Sequence, residues 1–310
     1  MRVIFNYDRS YRTSLPSAIA LGTFDGIHLG HRQLINELLD KKKTYGYQTI
    51  VYTFLNHPLQ VLKPETAPPQ IMLVKEKIKE FSDLGIDVLV LNQFDESLLR
   101  QSPGEFLNQL THNLNVKSLI VGFNYRFGYR GEGDCAFLER ESKLMGFDLT
   151  CVPPVQKDDL VISSTLIRSK ITQGDVEEAA CLLSRPYSIS GTIVHGHGRG
   201  RNLGYPTANI KYSSQKVLPK PGVYLTRCSL SNEVEYWGVT SIGSNPTFSG
   251  DETTIETYLL NCNRDLYGRS MKVSFLSFIR EEKTFNTVEG LVSQISRDVK
   301  MAKMLIYKYR

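Results

Sequence analysis

The chain has 310 residues, 41% of them hydrophobic, which predicts two domains of roughly 150 residues, each able to bury a core. Its 37 basic and 32 acidic residues leave a net charge of +5, a mild excess that suits anionic small ligands and makes a nucleic-acid partner unnecessary. No stretch reaches the ~18 apolar residues of a membrane span, so a membrane role is not expected.

From the N-terminus onward, residues 1–10 carry no apolar signal core. Cys135, Cys151, Cys181, Cys228 and Cys262 are scattered and form no Cys-x-x-Cys pair, which argues against a zinc site and for reduced thiols in a cytoplasmic protein. Apolar runs at 18–21, 49–54, 88–91, 119–121 and 149–152 predict strands. Helical spacing at 32–43, 75–84, 103–114 and 135–145 predicts helices between them. Lys41-Lys42-Lys43 closes the first helix and is expected to face solvent. Ser102-Pro103 reads as an N-cap followed by proline at the first helical position. Such alternation predicts a parallel sheet covered on both faces, with ligands at the carboxyl ends of its strands.

The string Gly22-Thr23-Phe24-Asp25-Gly26-Ile27-His28-Leu29-Gly30-His31 stands at one such strand end and opens a helix. Helix-start amides and the positive dipole end favour an anion there, and glycines let the backbone approach a phosphate. Histidines add donors for charge that develops during phosphoryl or nucleotidyl transfer. A strand-to-helix turn with two incidental histidines accounts for a lone His-x-Gly-His equally well. Three further segments fall at strand ends or a helix start: Thr53-Phe54-Leu55-Asn56-His57-Pro58, Gly122-Phe123-Asn124-Tyr125-Arg126-Phe127-Gly128, and Ile162-Ser163-Ser164-Thr165-Leu166-Ile167-Arg168. Each alone reads as loop or cap chemistry. Together they offer aromatic faces and an amide edge for a planar ring, with hydroxyls and an arginine for phosphates.

After Ser184-Arg185-Pro186 the pattern changes, placing a domain boundary there, with 1–184 as one domain and 185–310 as the other. Short β-rich pieces at 187–194, 222–229, 236–242, 254–260 and 271–278 predict an antiparallel barrel or sandwich. A final helix is expected over 287–304. Gly196-His197-Gly198-Arg199-Gly200-Arg201 reads as a mobile basic loop, either a plain hairpin loop or a cover for phosphates; it lacks the Gly-Lys-Ser/Thr ending of a P-loop. In Pro206-Thr207-Ala208-Asn209 a hydroxyl and an amide oxygen two residues apart share one face of an extended chain. Such oxygens suit magnesium. Glu256 is an acidic residue inside an apolar strand, either on an outward edge or as a general base.

The first string resembles the signature of the nucleotidylyltransferase superfamily, in the form found in bacterial flavin-adenine dinucleotide synthetases. The second-half motifs, with Gly243–Phe248, Asp265–Gly268 and Phe278–Phe285, resemble riboflavin kinases. The resemblance implies an α/β plus β architecture: an N-terminal Rossmann-like nucleotidylyltransferase domain, and a C-terminal antiparallel β-barrel with a terminal helix. It implies that riboflavin is phosphorylated to FMN in the second domain and FMN adenylated to FAD in the first, with ATP as co-substrate of both and Mg2+ as cofactor. The residues it points to for ATP are Gly22, Phe24, Gly30, Ser164, Thr165, Gly196, Gly198, Arg199, Gly200 and Arg201. His28, His31 and Arg168 would stabilise charge on the leaving pyrophosphate. His57, Asn124, Tyr125, Arg126 and Arg280 would contact flavin, Arg280 having a surface ion pair as its other reading. Thr207 and Asn209 would hold the metal, and Glu256 would activate the ribityl hydroxyl. Leu55, Asn56 and Leu166 depart from the family pattern, which leaves open a chain in which the kinase dominates; a non-enzymatic regulator that uses the barrel to sense FMN is a separate alternative. Oligomerisation is left open.

Overall fold

The computed structural model describes residues 1–7, 11–196, 200, 203–230, 234–247 and 250–309, with backbone only at 244–247 and 250–252. The chain forms two compact units, Met1–Ser164 and Thr165–Arg310.

The first unit runs β1 (Arg2–Phe5), β2 (Ser17–Leu21), α1 (Leu29–Tyr45), β3 (Gln48–Phe54), α2 (Leu59–Leu62), α3 (Val74–Asp83), β4 (Val88–Asn92), α4 (Glu96–Arg100), α5 (Pro103–Leu114), β5 (Val116–Gly122), α6 (Cys135–Met145) and β6 (Asp148–Val152). A small hairpin, β7 (Gln156–Lys157) with β8 (Leu160–Val161), follows. Six strands form one parallel sheet in the order β1-β4-β3-β2-β5-β6. The expected strands are all present; β1 was not expected. It is an edge strand with both ends exposed, so it lacks the buried apolar run that marks its neighbours.

Strand alternation divides the core in two. Ile19, Leu21, Ile50, Tyr52, Leu119 and Val121 pack with Phe106, Leu107 and Leu110 of α5 on one face. Ala18, Ala20, Val51, Leu89 and Ile120 pack with Leu34, Ile35 and Leu38 of α1 and Phe81 of α3 on the other. Burying each large side chain contributes about 1.5–3 kcal/mol before chain entropy is subtracted. α5 begins as expected: Ser102 Oγ accepts from the Glu105 amide while the Glu105 carboxylate accepts from the Ser102 amide. The order reverses direction at β2, whose partners are β3 and β5. That reversal opens a crevice at the carboxyl ends of β2 and β5.

The second unit contains α7 (Ser164–Thr172, its first residue the last of the first unit), α8 (Val176–Leu183), β9 (Ser188–Val194), β10 (Thr207–Tyr212), β11 (Gly222–Leu230), β12 (Val234–Thr247), β13 (Gly250–Leu259), β14 (Ser270–Arg280) and α9 (Val288–Leu305). Its six strands close into a barrel in the order β10-β13-β12-β11-β14-β9, antiparallel at every pairing, and β9 pairs back onto β10. The barrel, not the sandwich, is therefore the fold. Buried hydroxyls of Thr226, Thr240 and Thr257 run across β11, β12 and β13 in a hydrogen-bonded chain of 2.8 and 2.9 Å links. α9 packs Ala302 against Val223, Leu225 and Leu276. The compact units part before the boundary expected at 184–186, because α8 packs with the barrel; its Glu177 accepts a hydrogen bond from Ser277 of β14.

Candidate functional site

The fully buried β2 ends at Leu21 and turns through a strained loop into α1. Phe24, Gly26 and Ile27 have φ of 48°, 90° and 44°. Left-handed backbone at Phe and at β-branched Ile costs of order 1–3 kcal/mol each and persists only where the surroundings impose it. Here they do. The buried Asp25 carboxylate accepts from the amides of Ile71 at 3.1 Å and Met72 at 3.0 Å. Ser164 Oγ donates to the Asp25 carbonyl at 2.8 Å, and Thr53 Oγ1 donates to the Thr23 carbonyl at 3.0 Å. The Lys77 ammonium donates to the Thr23 and Phe54 carbonyls at 3.0 and 3.3 Å.

His28 is the N-cap of α1, its Nδ1 accepting from the His31 amide at 3.4 Å. With Nδ1 an acceptor, the proton of the neutral ring sits on Nε2. The His28 and His31 rings stack at 3.7 Å. Burial first, then the His28 and Lys77 charges, hold the His31 pKa well below the ordinary histidine value. His31 is therefore a neutral imidazole, and among the described residues its buried Nδ1 has no hydrogen-bond partner.

These residues edge a cavity of about 910 Å³, within the range of small-molecule sites. Gly22, His28, Gly30 and His31 line it from the β2 end, Phe54 and His57 from β3, and Gly122, Asn124, Tyr125 and Arg126 from β5. Ser163 and Ser164 complete it. Tyr125 stacks on Phe127 at 5.5 Å, and burial raises its phenol pKa. Arg126 pairs with Asp134 at 3.1 Å on the surface. His57 Nδ1 accepts from the Leu59 amide at 3.1 Å. Phe24, expected among the ATP contacts, does not line the cavity; its buried ring packs edge-on against Phe81 at 5.5 Å and supports His31 at 5.1 Å. Thr165 and Arg168 follow Ser164 on α7, where the second unit begins. The departures at 55 and 56 are built in: Leu55 packs in the core, and Asn56 exchanges two hydrogen bonds with the Phe94 backbone at 2.8 and 2.9 Å.

The second unit gathers a different set. Asn209 of β10 pairs in register with Glu256 of β13. Thr207 Oγ1 donates to Glu256 Oε2 at 3.2 Å. Their strand neighbours Ala208, Ile255 and Thr257 are buried, so Thr207, Asn209 and Glu256 share the barrel's outer face. Two glycines lie against this set: a Cβ on Gly196 would come 2.2 Å from Asn209 Nδ2, and one on Gly200 would come 2.4 Å from the Tyr205 carbonyl and 3.5 Å from Thr207 Oγ1. A side chain at 196 would collide with Asn209, and one at 200 with the Tyr205 carbonyl. Gly198, Arg199 and Arg201 lie outside the described residues. Among the described residues no group of three His, Cys, Asp or Glu could hold a metal. The hydroxyl, amide and carboxylate oxygens of Thr207, Asn209 and Glu256 instead form a hard-donor set that fits magnesium.

Arg280 takes the ion-pair reading, in a buried form. Its Nε donates to Asp298 at 2.9 Å and its NH2 at 2.7 Å, tying β14 to α9, while NH1 donates to the Glu281 carbonyl. Sequence reasoning also left Asp25 and Lys77 without roles. Asp25 was inside the motif, but its partners lie more than forty residues away. Lys77 carries no local signal, since a lysine on an amphipathic helix ordinarily reads as solvent-facing.

A family model described as FAD synthetase matches residues 11–166, and one described as riboflavin kinase matches 183–306. The bifunctional riboflavin kinase/FMN adenylyltransferase of Listeria monocytogenes is 36% identical over 92% of this chain and 91% of its own. The enzyme of that name from Bacillus subtilis is also 36% identical, over 91% and 90%. A crystal structure from Streptococcus pneumoniae, described as a macrolide-efflux protein, superposes with a TM-score of 0.91 at 30% identity, covering 98% of this chain and 99% of that one. Among the described residues of this chain, no helix is long and apolar enough to cross a membrane. The chain belongs to the bifunctional riboflavin kinase/FMN adenylyltransferase family.

Proposed function

We propose that the chain makes FMN from riboflavin with the barrel residues and FAD from FMN with the pocket at the end of β2. The observation that carries this division is that Gly22, His28, Gly30, His31 and Ser164 line one cavity of the first unit, while Thr207, Asn209 and Glu256 share one face of the barrel in the second.

In the kinase step the ribityl 5′-oxygen attacks the γ-phosphorus of ATP. The bond from that phosphorus to the β–γ bridging oxygen breaks, and ADP leaves. Glu256 takes the hydroxyl proton, and Thr207 holds the carboxylate in place through its hydrogen bond. Thr207 and Asn209, with Glu256 beside them, would hold magnesium, which when bound neutralises phosphate charge. Gly196, Gly198, Arg199, Gly200 and Arg201 would close over the phosphates.

In the adenylyl step an oxygen of the FMN phosphate attacks the α-phosphorus of ATP. The α–β bridging bond breaks, and pyrophosphate leaves. The nucleophile is already ionised, so no base is needed. His28 and neutral His31 donate to the charge that develops, with Arg168 assisting at the leaving pyrophosphate. Gly22, Gly30, Ser164 and Thr165 seat ATP; the Ser164 hydroxyl proton is committed to the Asp25 carbonyl, so Ser164 meets the phosphates through its backbone amide. Asn124, Tyr125, Arg126 and His57 face the flavin. Arg280 acts on the flavin only through the fold of α9.

The free thiols at all five cysteines support a reducing, cytoplasmic setting. The test is a timed chromatographic assay of purified protein with riboflavin, ATP and magnesium. FMN should appear first and FAD after it. FMN alone, with supplied FMN left unadenylated, would remove the adenylyl step from the reading.

A further inference from the structure

Lys77 is 6% exposed, on α3, and belongs to neither motif. Its ammonium reaches Thr23 O at 3.0 Å and Phe54 O at 3.3 Å. Phe54 is the last residue of β3 and Thr23 lies two residues beyond the end of β2, adjacent parallel strands that Gly22 and His57 of the adenylyl-transfer pocket follow. Thr23 O accepts from Thr53 Oγ1 as well, so one carbonyl is held from two sides. The titratable groups around the ammonium are the Asp25 carboxylate and the neutral His31 imidazole on α1, which stacks on His28; His57 lines the small recess that Lys77 shares with Asp25. Asp25 is already bound by two amides, so Lys77 is not simply its counter-ion.

We propose that Lys77 is a positioning residue of the adenylyl-transfer site, its ammonium clamping the ends of β2 and β3 so that the Gly22–His31 loop keeps the shape that seats the triphosphate. This rests on the adenylyl-transfer reading of that pocket. A buried ammonium is costly, and carbonyl acceptors offset only part of the lost hydration. A neutral leucine would fill the space at lower cost, so charge at this point has a use beyond packing. Burial pulls the Lys77 pKa down to about 8, with Asp25 opposing the shift. The clamp therefore loses its charge within an accessible alkaline range, and its field is one of the causes that keep His31 neutral.

The test measures adenylation of supplied FMN by the full chain, with ATP varied, from neutral to alkaline pH. The wild type should lose kcat/KM for ATP on an alkaline limb centred near 8. Lys77→Met should lower kcat/KM at neutral pH roughly 10- to 100-fold, the scale of a displaced catalytic geometry. It should also abolish the alkaline limb and leave FMN formation from riboflavin unchanged. Lys77→Arg, which keeps its charge at every accessible pH, should recover most of the neutral rate without the limb. Independently of activity, the His31 imidazole should titrate at higher pH in Lys77→Met, read by NMR. Unchanged kcat/KM and an unmoved His31 titration in Lys77→Met would overturn the clamp. If Lys77→Met does not fold, a wild-type profile without an alkaline limb overturns it. Absence of FAD from the wild type at any pH would instead strike the adenylyl-transfer reading, and the His31 titration would still decide the clamp.

Discussion

Thr207 donates its hydroxyl to Glu256 across 3.2 Å, from β10 to β13, and Asn209 sits in register with the same glutamate. A carboxylate fixed by a neighbour on an adjacent strand is aimed before substrate arrives, which is the condition for efficient proton removal. Glu256→Gln keeps the shape and removes the base. FMN formation should fall by about 10²–10⁴-fold, the usual worth of a positioned acid or base. Thr207→Val should raise the magnesium needed for half-maximal rate. Steady-state rates against magnesium concentration check both.

Leu55-Asn56 stands where the family resemblance implies an acidic residue followed by proline, and the Asn56 side chain exchanges two hydrogen bonds with the Phe94 backbone. Asn56→Pro would orphan the Phe94 amide and carbonyl, at about 1–3 kcal/mol for each group left buried. Leu55→Asp would place a carboxylate beside the core that Leu55 now joins. The pair should therefore lower Tm and leave adenylation no faster. A rise in FAD formation would revive the view that these departures weaken the first domain.

Arg280 and Asp298 form a multidentate pair, with Asp298 4% exposed. Removing one partner leaves a buried charge, at about 3–5 kcal/mol. Arg280→Met and Asp298→Leu should each destabilise the barrel, and the double variant should recover much of the loss. Denaturant unfolding of the four proteins measures the coupling. If Arg280→Met raises KM for riboflavin without lowering stability, Arg280 touches the flavin directly.

His31 has a depressed pKa in the folded chain, caused first by burial and then by His28 and Lys77. Below its ordinary value of 6.5 the unfolded chain takes up a proton that the folded chain refuses. More protons on the unfolded state mean that stability rises with pH through this window and is lost as pH falls below it. Tm should decline on mild acidification, and His31→Asn should flatten that decline. Thermal scans across the acid range, wild type against variant, check the sign.

The sheet was largely legible because strands buried on both faces read as continuous apolar runs, as β2 and β4 do. β1 was not, since an edge strand is half exposed and its apolar residues resemble a frayed terminus. β10 escaped because it alternates buried Ala208 and Ile210 with Thr207, Asn209 and an exposed lysine, and its polar face belongs to the site. Local signals, such as Ser102 as the N-cap before Pro103, were readable from spacing, whereas the N-cap role of His28 was not, because the helix was expected to begin only at Arg32. Roles that depend on a distant partner were not readable either. Nothing near Asn56 announces Phe94, nothing near Arg280 announces Asp298, and Phe24 looked like a ligand contact until Phe81 was found beneath it.

The division of labour between the two residue sets is tested most directly by supplying each variant with the substrate of the other step. Glu256→Gln protein given FMN, ATP and magnesium should form FAD at the wild-type rate. His28→Ala protein given riboflavin should stop at FMN. Loss of FAD formation in Glu256→Gln, or FAD produced at the wild-type rate by His28→Ala, would contradict the assignment of the two reactions to these two sites.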